Sequence, residues 1–381
     1  MNNVFVCPRC GNSDLKYIGR RNGVPYCRRC ISFRGNSVEP SPRTPKNVVL
    51  SIPYHLTQEQ MKLSDSIVNN YKNGIDTLCW AVCGSGKTEI SYGVLAYAMS
   101  KGLKCGFALP RRDVVIELFF RLRSAFPSNS IVAVYGQHSS KLEGDLVILT
   151  THQLYRYPNY FDLLVMDEID AFPFKGNKTL ISFFKASLRG HYVLMSATPS
   201  EAIKEAFRKP GRSIVELKTR FHKHLIPVPT SVVRFGLFKY VYTINKVRIY
   251  RTKHLPCLVF VPTIDMAEKV FRIISFFVSG GDFVSSKRKD RGIIINSFRN
   301  GLLSYLVTTA VLERGVTIKN VQVVIFESDH SIYDSSSLIQ ISGRAGRKSD
   351  APNGEVIFLA QKVSEEMQKA INEIKFCNTF L

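Results

Sequence analysis

Short apolar runs, bounded by glycine, proline and polar clusters, recur in two blocks of the chain. In the first block they are Thr77–Cys83, Lys104–Leu109, Ile131–Val134, Asp145–Leu149, Phe161–Met166 and the stretch from Tyr192. In the second they are Cys257–Val261, Ser304–Thr308, Val321–Phe326 and Glu355–Leu359. Runs of this length with β-branched and aromatic residues predict buried strands. Helical spacing appears between them: Met61, Ile67, Val68 and Tyr71 after Leu56, then Ile90, Val94, Leu95 and Ala98, and again over Ile264 to Val278. Strand and helix therefore alternate, which predicts an α/β fold in each block. A proline-rich stretch, Glu39 to Pro45, reads as an extended linker before the first block. Composition shifts again from Arg220 to Val228, so the expected domains are residues 1–46, 47–220 and 221–381.

The stretch Ala81-Val-Cys-Gly-Ser-Gly-Lys-Thr88 lies between a predicted strand and a predicted helix, the context that a phosphate-binding loop needs. Gly84 and Gly86 let the chain turn sharply around Ser85, so backbone N–H groups can point at phosphate oxygens. Lys87 is placed to reach the β- and γ-phosphates and Thr88 to bind Mg²⁺. Ala81 stands where the usual motif has its first glycine; the alternative reading is a plain glycine turn. The second block has no Gly-Lys-[Ser/Thr], so one ATP site is expected.

Two further strands end in chemistry. Phe161–Met166 runs into Asp167-Glu-Ile-Asp170. There Asp167 would hold Mg²⁺ and Glu168 would orient and deprotonate the attacking water; the alternative is a pair of helix caps. The strand from Tyr192 ends in Ser196-Ala-Thr198, hydroxyls placed to sense the γ-phosphate. Near the C-terminus, Gln340-Ile-Ser-Gly-Arg-Ala-Gly-Arg347 is expected to start a helix. Its Arg344 and Arg347 would then share one face and reach the phosphate as arginine fingers. Gly343 and Gly346 are costly in a helix and suggest a close backbone approach.

Composition sharpens the partner. Lys and Arg number 52 against 30 acidic residues, a formal charge of +22, which favours a polyanion over a neutral ligand. No apolar run reaches the roughly 20 residues of a membrane span, and the short Val4–Val6 stretch does not make a signal peptide, so a cytoplasmic protein is expected. Reduced cysteines favour metal over disulfides there. Cys7-x2-Cys10 and Cys27-x2-Cys30 have the spacing of a closed, structural four-thiolate zinc site. Asn22-Gly23 is a plausible hairpin turn between the pairs. Residues 1–46 hold nine Lys and Arg against two acids, a formal +7 before metal. That ribbon either touches phosphates or docks on the neighbouring domain.

Other candidates are individually weaker. Gln60 reads either as the partner of Thr57 in a capping box or as an adenine contact. Arg111, Arg112, Thr151, His152 and Thr309 follow strands and are candidates for nucleic-acid backbone contact. For Arg111 and Arg112 a solvated basic turn is the alternative.

Together, Ala81–Thr88, Asp167–Asp170, Ser196–Thr198, Thr308–Thr317 and Gln340–Arg347 resemble the ordered motifs of superfamily 2 helicases and translocases, over residues from about 50 to 381. With the four-cysteine module and Leu312-Glu-Arg-Gly-Val-Thr317, the chain is similar to the ComFA family of competence ATPases. The resemblance implies two tandem RecA-like domains and a motor stimulated by single-stranded DNA. Gly315 would join the nucleotide site. It also implies ATP, Mg²⁺ and Zn²⁺ as cofactors, and ComFC-type and DprA partners. A peripheral station at the membrane uptake channel and an oligomer are further implications. PriA-like helicases share the tandem core but carry other appendages, and an ATP-gated DNA-binding adaptor without net movement is the other alternative. Ile169 stands where the family carries Val, a position that would only pack in the core.

Overall fold

The computed structural model describes residues 5–42, 44–82, 84–136, 138, 140–171, 173–218, 224–309, 318–346 and 350–379. The chain divides into two compact units. One comprises Met1–Ala81 with Gly86–Leu217, the other Val82–Ser85 with Lys218–Leu381.

The first unit begins with a two-stranded ribbon, β1 (Ile18–Arg21) and β2 (Val24–Cys27), antiparallel with Arg21 opposite Val24. Asn22 and Gly23 both have positive φ, 50° and 81°, as the tightest right-twisting hairpin turn requires. The expected linker is extended but not loose. Val38 N–H donates to the Arg156 carbonyl, Lys104 Nζ to Ser41 Oγ, and Lys46 pairs with Asp145 at 2.7 Å. It thereby straps the ribbon to the α/β layer.

That layer follows with helices interleaved among the strands: α1 (Gln58–Lys72), β3 (Asp76–Ala81), α2 (Lys87–Ile90), α3 (Tyr92–Ser100), β4 (Cys105–Leu109), α4 (Arg112–Ala125), β5 (Ile131–Val134), β6 (Leu146–Thr150), β7 (Phe161–Asp167), α5 (Lys178–Ser187), β8 (Leu188–Ser196), α6 (Glu201–Phe207) and β9 (Arg212–Leu217). The seven strands of this sheet, in the order β5-β6-β4-β7-β8-β3-β9, all run parallel. Both faces are covered by apolar clusters, one around Ile67, Leu95 and Leu118, the other around Leu154, Phe161 and Phe183. This explains why β4 and β6 are wholly buried, continuous apolar runs.

The second unit repeats the plan with β10 (Thr230–Val233), α7 (Phe238–Thr252), β11 (Cys257–Phe260), α8 (Ile264–Phe277), β12 (Gly281–Val284), α9 (Arg291–Arg299), β13 (Tyr305–Thr308), β14 (Gln322–Phe326), α10 (Ser335–Ser342), β15 (Val356–Ala360) and α11 (Glu365–Asn378). Its six strands are also parallel, in the order β10-β15-β14-β11-β13-β12. Parallel pairing has one consequence for function. Every strand of a sheet ends at the same edge, which is where ligands sit in open α/β folds.

One expectation is corrected here. The segment from Gln340 ends a helix rather than starting one. Asp334 caps α10, its carboxylate accepting from Ser337 N–H, and the helix stops at Ser342 with Gly343 as its C-terminal cap. Arg344 therefore follows the helix instead of riding on its face.

Candidate nucleotide and metal sites

In the first unit β3, β4, β6, β7 and β8 deliver their following residues to one edge. After β3 the chain turns through Gly84 and Gly86, both at φ 82°. A side chain is strained at that angle, so glycine is needed twice. Gly86 caps α2, and Lys87, its first residue, folds back to donate Nζ–H to the Ala81 carbonyl at 2.8 Å. The ammonium thus lies across the mouth of the turn. Thr88 follows in α2, half-buried, and its carbonyl accepts from Ser91 Oγ at 2.6 Å. Ser85 is buried within the loop, where its N–H donates to the Val82 carbonyl.

Gln60 takes the capping reading. Its Oε1 accepts from Thr57 N–H at 2.9 Å and its own N–H donates to Thr57 Oγ1, a complete capping box. Its Nε2 lies only 2.4 Å from where a Cβ on Gly86 would stand, so the amide is packed against the glycine loop. Beside this helix an open cavity of about 730 Å³ is lined by Val49, Ile52, Tyr54, His55, Leu56 and Met61. Tyr54 Oη donates to Glu89, which also pairs with Arg121.

β7 brings Asp167 to the same edge, one strand removed from β3. Glu168 takes φ 60°, the left-handed region, and its N–H donates to Asp167 Oδ1 at 2.7 Å. Such backbone costs on the order of 1–3 kcal/mol and collects at functional sites. Ile169, 4% exposed, anchors the turn in the core, as its place in the motif suggested. Among the described residues no helix starts at Asp167 or Glu168; the next one, α5, is capped by Asn177. The helix-cap alternative is thereby removed. Asp170 is engaged otherwise: it accepts from Ser196 Oγ at 3.1 Å and from Thr198 Oγ1 at 2.8 Å. The acidic strand end and the hydroxyl strand end are thus one hydrogen-bonded unit, a link that spacing alone did not reveal. Cys79 in β3 reports on this edge. Burial pushes its thiol up to about 12, with Lys87 pulling down and Asp167 pushing further up.

The first unit's nucleic-acid candidates follow strands that end at this edge. Arg111 precedes α4, and the exposed Arg112 lies 5.0 Å over the Tyr135 ring. Tyr135 in turn stacks on His138 at 4.9 Å, a platform that sequence reasoning missed. Its only trace in the sequence is a tyrosine followed by Gly136, which has φ 48°. Thr151 is fully buried and His152 half-buried. His152 stacks on Phe33 of the cysteine-rich module at 6.1 Å, and burial lowers its pKa below the ordinary 6.5. In the second unit Thr309 is 7% exposed and its carbonyl accepts from Thr308 Oγ1. Arg344 is 5% exposed. Gly346, at φ 61°, is needed: a Cβ there would stand 2.0 Å from the Pro352 carbonyl oxygen. That is the close backbone approach expected of this segment. Gly315 and Arg347 lie outside the described residues.

The four module cysteines are buried, and their sulfur atoms all lie within 4.8 Å of one another. Cys7 and Cys30 are 3.5 Å apart, Cys10 and Cys27 3.7 Å. A tetrahedral ion with bonds of about 2.3 Å asks for sulfur–sulfur edges of roughly 3.8 Å, so the donor set fits such an ion. Backbone N–H groups of Arg9 and Cys10 support the Cys7 sulfur. Burial drives Cys10 up to about 11 and Cys30 higher still, a cost that a bound cation would offset.

Comparisons with known proteins agree with this geometry. Residues 53–201 match the family of the type III restriction enzyme res subunit, and residues 240–349 match the helicase conserved C-terminal domain. S. cerevisiae Dbp5 bound to RNA and ADP BeF3 superposes with a TM-score of 0.63 over 86% of this chain and 92% of that one, at 15% identity. That likeness shows the fold: two tandem helicase-like α/β domains. No helix among the described residues is long and apolar enough to cross a membrane. Competence protein ComFA of Streptococcus pneumoniae is 33% identical over 98% of this chain and 90% of its own length. Its counterpart in Bacillus subtilis is 32% identical over 98% and 86%. Likeness of this depth along nearly the whole length, on a helicase fold with a four-cysteine cluster ahead of it, makes the chain a member of the ComFA family.

Proposed function

We propose that this helicase-type ATPase is a motor on single-stranded DNA and serves DNA import during competence. One observation carries the reading: a ComFA-length match whose glycine loop, acidic turn and hydroxyl pair all lie at one sheet edge. In this account Gly84, Ser85, Gly86 and Lys87 bind the phosphates of ATP, Gln60 contacts the adenine, and Gly315 completes the nucleotide site. Thr88 and Asp167 hold Mg²⁺, which supplies charge neutralisation when bound. Glu168 positions and deprotonates the attacking water. Arg344 and Arg347 stabilise the charge that develops on the transferred phosphoryl group. The bond between Asp170 and Thr198 lets a change at the acidic turn reach the hydroxyl strand end. Arg111, Arg112, Thr151, His152 and Thr309 contact the DNA backbone, so binding is salt-sensitive and largely sequence-independent. Cys7, Cys10, Cys27 and Cys30 hold structural zinc. ComFC-type and DprA proteins, and the uptake channel at the inner membrane face, are the partners that membership suggests.

Displacement of a triplex strand from a single-stranded track tests movement. Displacement by the wild-type chain, lost in Lys87→Ala, supports the motor. Robust hydrolysis without displacement refutes it and leaves the ATP-gated adaptor.

A further inference from the structure

The cysteine-rich module is clamped to the first unit by an aromatic wedge. Phe33 packs edge-on to Tyr155 at 5.7 Å and to Phe183 at 4.9 Å, and it stacks on His152. Tyr155 Oη donates to the Arg34 carbonyl, Arg9 lies 5.4 Å over the Tyr155 ring, and Val38 is tied to Arg156. His152 lies two residues past the carboxyl end of β6, so the module is fixed beside the edge that carries the other site residues.

The charges of the module are divided. Lys16 and Arg29 both lie over the Tyr17 ring, at 5.8 and 5.0 Å, which occupies that aromatic face. Tyr26 covers Gly19, where a Cβ would meet its ring at 2.5 Å. Neither tyrosine is laid open as a platform for bases. Arg20, Arg21 and Arg28 are exposed, and among the described residues none of them pairs with a carboxylate. Arg20 and Arg21 flank the ribbon tip, and neighbouring residues of a strand point to opposite faces. The tip therefore carries a cation on each face, held by a rigid base.

We infer that the module is a second phosphate-backbone grip, in which Arg20, Arg21 and Arg28 bind the nucleic acid that the motor moves along. The inference rests on the proposed function. Unpaired exposed arginines without an open aromatic surface suit phosphates, with no reading of base identity. Rigid docking makes the grip move with the first unit instead of swinging on a tether.

The test is binding of a fluorescent single-stranded oligonucleotide by anisotropy across a potassium chloride series. It compares the full chain with the triple variant Arg20→Ala/Arg21→Ala/Arg28→Ala. Each phosphate contact on a single strand contributes about 0.7 to the slope of log affinity against log salt. The triple variant is expected to lose roughly 2 from the slope and up to about a hundredfold in affinity at 0.1 M salt. Its metal content and its ATPase rate without DNA should match the wild type. An unchanged slope, with metal retained and the wild type binding DNA, overturns the inference and leaves the basic tip as a protein-docking surface. A wild-type chain that binds no nucleic acid fails the proposed function itself.

Discussion

Gly86→Ala is the substitution that the proposed nucleotide site should tolerate least for its size. At φ 82°, alanine pays about 1–2 kcal/mol for the left-handed backbone. Its Cβ would also stand 2.4 Å from Gln60 Nε2 and 3.4 Å from Glu89 Oε2. The Gln60 amide is the end of a flexible chain, but its oxygen is engaged at 2.9 Å by Thr57 N–H. Moving it weakens the capping box, at a cost of about 1 kcal/mol. The loop's phosphate-ready shape therefore loses roughly 2–3 kcal/mol, or about 30- to 150-fold in the ATP concentration for half-maximal turnover. Steady-state ATPase over a range of ATP measures this, with circular dichroism confirming the fold. The same substitution in a Gln60→Ala background separates the two causes. There only the backbone strain remains, and the penalty should shrink by about 1 kcal/mol. A wild-type ATP dependence in Gly86→Ala, or equal penalties in both backgrounds, would refute the packing argument.

Two further outcomes follow from the module. Cys7→Ser removes one of four buried sulfur donors. Metal per chain, read by mass spectrometry, should fall well below one, and protease cutting within residues 34–46 should rise; full stoichiometry in the variant would contradict a four-thiolate site. The second concerns pH. Burial lowers the His152 pKa below 6.5, so the unfolded chain takes up this proton first as pH falls. Stability is therefore unaffected by this group well above 6.5 and declines as pH drops below that value. Melting at pH 7.5 and 5.5 should show a smaller pH difference in His152→Phe, which keeps the stack on Phe33; an equal difference in both proteins would remove His152 as a cause.

Much of the fold was legible because parallel strands buried on both faces leave unbroken apolar runs. Among the parallel strands, those that left no such mark are β9, β10 and β12, and all three lie at sheet edges. β9 and β10 are only partly buried, and their polar residues interrupt the pattern. α7 escaped for the opposite reason. Phe238, Val241 and Ile249 are exposed apolar residues that hide the spacing of its buried Ile244, Val247 and Tyr250. In the site, the glycine loop and the acidic turn were readable from local chemistry. The pairing of Asp170 with Thr198, and the wedge of Phe33 against His152, join residues 28 and 119 positions apart, and only packing brings them together.

ATP turnover by the purified chain, measured side by side without nucleic acid and with single-stranded DNA, duplex DNA and RNA, addresses the central claim most directly. The account expects single-stranded DNA to accelerate hydrolysis most, and Lys87→Ala to abolish the acceleration. A rate indifferent to all three nucleic acids, or DNA-stimulated turnover that survives Lys87→Ala, would contradict it.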